Sequence, residues 1–149
     1  MPPVIVIRKT IDVARVPNAL YEYLVQPAHI AEYVGPIRTI RSADAGPIGA
    51  GTQLAVEVQF LGIRFTQRAE CTVHHPPDRF DCRSVGGRFN FTAGFTIVPT
   101  ARGSRLNGWG EASAPSLFRF AERAVSHLVE RQVERDLARL KTVLEAGEG

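Results

Sequence analysis

A chain of 149 residues, 44% of them hydrophobic, suits one domain with a substantial core. No stretch is long and apolar enough to span a bilayer, and the opening MPPVIVIRKT puts its charge after the apolar run with no small-residue cleavage site, so it does not read as a secretory leader and the expected location is the cytoplasm. The net charge of +3 is almost all arginine, Lys9 and Lys141 being the only lysines, but the arginines are scattered and many adjoin acids, as in Glu130-Arg131 and Glu134-Arg135-Asp136; that reads as solvated faces, not the one-sign stripe a nucleic acid needs.

Ile5 to Val13 alternates, with Ile5, Ile7, Ile11 and Val13 on one side and Arg8, Thr10 and Asp12 on the other, which predicts a strand. Lys9 falls on the apolar side, either snorkelling to water at the end of a sheet or pointing into a cavity. Pro17 and Pro27 each suit the first position of a short helix, the second ended by Gly35-Pro36. Ile37 to Ala43 reads as a strand. The stretch GPIGAGT, Gly46 to Thr52, nearly spells a phosphate-binding loop, but the lysine is missing. The next eight residues, QLAVEVQF, alternate as a strand and offer no helix N-terminus to an anion, so the glycines read as a turn.

The later strands pair by arithmetic. Leu61-Gly62 as a turn sets Val58 opposite Phe65, Val56 opposite Gln67 and Leu54 opposite Ala69. A turn at His74 to Arg79 sets Cys71 opposite Cys82 and Val73 opposite Phe80; Gly86-Gly87 sets Ser84 opposite Phe89, Cys82 opposite Phe91 and Phe80 opposite Ala93; a turn near Ala101-Arg102 sets Ile97 opposite Leu106 and Phe95 opposite Gly108. All four hairpins agree on one inner face, which a one-residue slip would reverse. That face mixes aromatics, two thiols and one amide, and shrinks to Gly108, Gly110 and Ala112 on the last strand, leaving room for a helix or a ligand. From Pro115 to Glu145, apolar residues recur at helical spacing and predict a long helix able to lie across the sheet. The expected class is α+β, with one curved antiparallel sheet.

Motifs run co-linearly along almost the whole chain: Ile11 to Pro17, Tyr33 and Pro36, Gly49-Ala50-Gly51-Thr52, Pro76-Pro77-Asp78-Arg79-Phe80, Gly103-Ser104-Arg105, then Leu140-Lys141 with Leu144-Glu145. With this element order the sequence resembles the START-like superfamily of helix-grip proteins (SRPBCC), and is most similar to its bacterial polyketide cyclase/dehydrase branch. The resemblance implies one ligand-binding domain over residues 1–149, a curved seven-stranded antiparallel sheet around a long C-terminal helix, two short helices between the first two strands, and a deep apolar cavity. Members bind lipids, sterols, quinones, plant hormones or polyketides; some are cyclases or aromatases, and others only bind or carry. Fold alone does not choose among these.

The candidate ligand-binding residues are Tyr33, Val56, Val58, Phe65, Gln67, Cys71, Phe80, Cys82, Ser84, Phe89, Phe91 and Phe95. Gln67 either bonds a ligand or bonds backbone at the cavity wall. Tyr33 polarises a substrate carbonyl or simply lids the core. The two thiols read as small buried hydrophobes in a reducing compartment. No histidine is expected on the inner face to activate Ser84. His74 and His75 should point to opposite faces and match no metal-ligand spacing, so neither metal nor cofactor is expected. Trp109 falls on the outer face over Gly94, where it covers backbone or anchors a protein partner; a bulge at Gly108 or Gly110 would instead turn Glu111 inward as a base. Two functions stand: a binder of a small hydrophobic molecule with possible cyclase/dehydrase activity, or a non-enzymatic carrier that docks on a partner.

Overall fold

The computed structural model describes residues 4–42, 48–60, 62–87, 90–113 and 122–146. Strand β1 (Val4–Val13) is followed by helices α1 (Pro17–Leu24) and α2 (Pro27–Tyr33), strands β2 (Ile37–Ser42), β3 (Gln53–Phe60), β4 (Ile63–His75), β5 (Arg79–Gly87), β6 (Asn90–Thr100) and β7 (Gly103–Ser113), and helix α3 (Glu122–Ala146). The seven strands form one antiparallel sheet in the order β1-β7-β6-β5-β4-β3-β2. The α+β order read from the sequence is therefore the order found.

Neither short helix has a side-chain cap. A proline in the first turn starts each, where its fixed φ suits the helix and its missing donor costs nothing. Gly35 N–H, just past α2, donates to Asp136 Oδ1 of α3 at 3.0 Å and ties the two helices. Helix α3 begins at Glu122 in the described structure; the Pro115 end of the predicted helix lies outside the described residues. Its 25 residues span roughly 38 Å.

The described part of the GPIGAGT stretch, residues 48–52, forms a turn in which Thr52 N–H donates to Gly49 O at 2.9 Å. Gly51 takes φ 87°, a left-handed value that glycine adopts without strain, and its N–H donates to Cys71 O at 2.9 Å as the chain enters β3.

The β3–β4 and β6–β7 pairings are those expected, Val56 facing Gln67 and Phe95 facing Gly108. Two other hairpins differ. In β4–β5, Cys71 faces Cys82 as predicted, but a bulge between Cys71 and Val73 puts Val73 opposite Asp81 and His74 opposite Phe80. In β5–β6 the register is displaced by two residues: Cys82 faces Ala93 and Phe80 faces Phe95, not Phe91 and Ala93. The predicted tight turn at Gly86-Gly87 does not form, because β5 runs on through Gly87 and the Ser84 hydroxyl accepts Phe91 N–H at 3.0 Å. The even displacement keeps every β5 and β6 side chain on its face, whereas the one-residue bulge in β4 puts His74, not Val73, opposite the inner-face Phe80.

The main core joins α1, the inner sheet face and the C-terminal end of α3, with Leu20 and Leu140 wholly buried. A smaller cluster packs Ile5 and Ile7 of β1 against Val129 and Val133 of α3. Beside it, the partly exposed Lys9 reaches the solvent side of α3: its Nζ pairs with Glu130 Oε1 at 2.7 Å and Glu134 Oε2 at 3.4 Å, and these bonds raise its pKa.

Candidate functional site

The concave face of the sheet, opposite α3, is where the predicted residues meet. Val56, Cys71 and Phe80 are buried, while Val58, Phe65, Cys82, Ser84, Phe91 and Phe95 are half-buried. Phe89 lies outside the described residues. Phe80 and Phe95 stack with ring centroids 5.5 Å apart, and Tyr21 meets Phe95 edge-on at 5.8 Å.

On β7, a Cβ built on Gly108 or Gly110 would meet no atom of the described residues closer than 3.9 Å. Cys82 and Tyr33 keep part of their surface uncovered, although both are set deep enough for burial to raise their pKa strongly. Both pack against the main core as partly buried side chains.

The polar groups on this face are engaged with the protein. Gln67 donates its amide to Gly86 O at 2.6 Å and Arg68 O at 3.2 Å, clamping the irregular end of β5. Its amide nitrogen thus takes the backbone contacts, one of the two roles expected of it. The Tyr33 hydroxyl donates to Leu24 O at 3.2 Å, and burial holds its proton far more firmly than in a free tyrosine. The Ser84 hydroxyl is taken up by the Phe91 backbone N–H. Neither cysteine is in a disulfide. Burial pushes the Cys82 thiol up to about 12, with Cys71 adding to the effect, and it raises Cys71 as well.

These directions have a pH consequence. A group whose pKa is raised by folding keeps its proton longer in the native than in the unfolded chain. Tyr21, pushed up to about 12 mainly by burial, acts with Cys82 in this way. Their contribution is complete at neutral pH and is lost as pH rises from the unfolded values near 9 and 10 toward 12. Native protein at pH 8 should therefore leave both cysteines unlabelled by iodoacetamide, and unfolding should expose both, as read by intact mass. Rapid labelling of native protein would contradict the buried-thiol geometry.

The sequence missed one inner-face histidine. The β4 bulge turns His74 onto Tyr21, whose hydroxyl shares a 2.7 Å hydrogen bond with His74 Nδ1 and also donates to Arg79 O at 3.1 Å. The expectation of no inner histidine is thereby corrected. A strict alternation rule carries no signal for an extra residue. On the outer face, β7 runs without a register shift: Trp109 stands opposite Gly94, and Glu111 is exposed and faces outward, so the inward base does not arise. A Cβ on Gly94 would collide with the Asp81 carboxylate and come within 3.0 Å of the Trp109 indole nitrogen, which is why the residue there has no side chain. Asp81, buried on that face and paired with Arg79 at 2.6 Å, was not anticipated.

Residues 4–145 match the sequence family described as polyketide cyclase / dehydrase and lipid transport. The chain belongs to that family. No curated protein matches its sequence. Among solved structures, a protein of Thermus thermophilus superposes with a TM-score of 0.80 at 16% identity, covering 99% of this chain and 100% of its own. A protein of Deinococcus radiodurans gives 0.73 at 18% identity, covering 96% and 98%. The di-domain aromatase/cyclase StfQ of the steffimycin biosynthetic pathway gives 0.75 at 16%, covering 96% of this chain and 52% of its own, about one of its two domains. These likenesses establish the helix-grip fold. As a member of the cyclase/dehydrase and lipid transport family, the chain has the architecture that suggests hydrophobic ligand binding. Among the described residues, no helix is long and apolar enough to cross a membrane, and no three His, Cys, Asp or Glu are grouped to hold a metal.

Proposed function

We propose that this protein binds a small hydrophobic molecule, of lipid, quinone, aromatic or polyketide type, between the concave sheet face and α3. The supporting observation is the uncovered surface of deeply set Tyr33 and Cys82, beside a β7 row kept free of side chains at Gly108 and Gly110. Apolar walls with few polar groups suit such a ligand.

Binding or carriage is favoured over cyclisation or dehydration. Proton transfer needs an available acid or base, whereas Tyr33 and both thiols are held protonated, the Gln67 amide nitrogen donates to backbone, and the inner-face His74 is hydrogen-bonded through Nδ1 to the Tyr21 hydroxyl. The test is native mass spectrometry of protein purified from its own host, with denaturing analysis of any released compound. A bound apolar or aromatic molecule is expected. Consistently unliganded protein that also fails to take up an apolar dye would overturn the reading.

A further inference from the structure

The fold segregates arginines that look scattered in the sequence. On the outer sheet face, Arg79, Arg83 and Arg105 are each neutralised, by Asp81, Glu70 and Asp12. At the β2–β4 end, Arg41, Arg64 and Arg68 are exposed and have no ion-pair partner among the described residues, while Arg38 donates to the neutral Gln59 at 3.0 Å. The pairings Arg41–Ala55 and Ala55–Arg68 place two of these guanidinium groups on one row, two strand spacings or about 9.5 Å apart at Cα. Two carboxylates share this face, the exposed Glu57 of β3 and Glu70 of β4, and Glu70 is already engaged by Arg83, so four arginines stand against one unengaged acid in the described patch.

The same hairpin adds an apolar side. Ile63 precedes Arg64 just after the turn at Gly62 and is half-buried, so the hairpin end carries an apolar side chain beside the arginine. We propose that the β2–β4 end of the sheet docks on an anionic lipid bilayer, the arginines meeting headgroups and the hairpin end entering the interface. An acidic protein or a nucleic acid would match the charge, but it would not call for the apolar edge beside it.

The test is co-sedimentation at low ionic strength with vesicles of phosphatidylcholine alone and of phosphatidylcholine mixed with phosphatidylserine. It needs no bound ligand, so it succeeds or fails separately from the ligand-binding reading. Binding is expected to the anionic vesicles only and should weaken with salt. The combined Arg41→Gln, Arg64→Gln, Arg68→Gln variant should lose on the order of 100-fold in partition, at roughly 5-fold per arginine. Ile63→Ser should weaken vesicle binding further, and Arg8→Gln, at the opposite sheet edge, should leave it unchanged. Circular dichroism confirms that the variants fold. No binding to anionic vesicles, wild-type binding by the triple variant, or equal affinity for a single-stranded RNA would each overturn the proposal.

Discussion

Truncating Leu140 to alanine should lower the midpoint of thermal unfolding by roughly 10 °C. The residue has no exposed surface and sits in the main core with Leu20, Tyr21 and Leu106, where α3 meets the sheet. Removing a buried leucine costs about 2–5 kcal/mol, because transfer energy is lost and the cavity left behind closes only partly. In a chain of this size each kcal/mol moves the midpoint about 2–4 °C. Val143, three residues on and 38% exposed, is the control; its alanine variant should stay within about 0.5 kcal/mol of wild type. If Leu140→Ala matched Val143→Ala by calorimetry, the C-terminal end of α3 would not be the anchor that its burial implies.

Filling the space over β7 should abolish ligand uptake while sparing the fold. Gly108 has no positive φ and a Cβ there would meet nothing among the described residues closer than 3.9 Å, so the backbone accepts a side chain. Gly108→Ala should be neutral or stabilising by about 0.4–1 kcal/mol, since it narrows the unfolded ensemble. Gly108→Leu should lower affinity for the natural ligand, or for an apolar dye, by at least about 10-fold with the melting temperature maintained. Gly94→Ala should do the reverse, costing roughly 1–3 kcal/mol by overpacking against Asp81 and the Phe80 carbonyl. Undiminished binding by folded Gly108→Leu would move the ligand away from β7.

Much of this was legible in the sequence because the sheet has period two. Alternation named the inner face, and the prolines at positions 17 and 27 named the helix starts. The same period explains what was missed. A two-residue displacement in β5–β6 leaves the alternation unchanged, so the pairing of Cys82 with Ala93 had no signature. The bulge after Cys71 adds one residue, which alternation cannot anticipate, and so His74 and Asp81 were misread or overlooked. Long-range partners were equally hidden. Lys9 looked anomalous until Glu130, 121 residues away, met it across the helix. The arginines looked scattered because neighbours across Ala55 are far apart in the chain.

The long helix is fastened unevenly. Leu140 and Leu144 lock its last turns into the main core, while toward its start the described contacts are the partly buried Val129 and Val133 and the ion pairs to Lys9. Amide protons in the last turns should therefore exchange with deuterium only through global unfolding, and those near Ser126 to Glu130 through local opening. Among the described residues, the helix is therefore anchored at its C-terminal end, and its resistance to opening should fall from Leu140 back toward Val129.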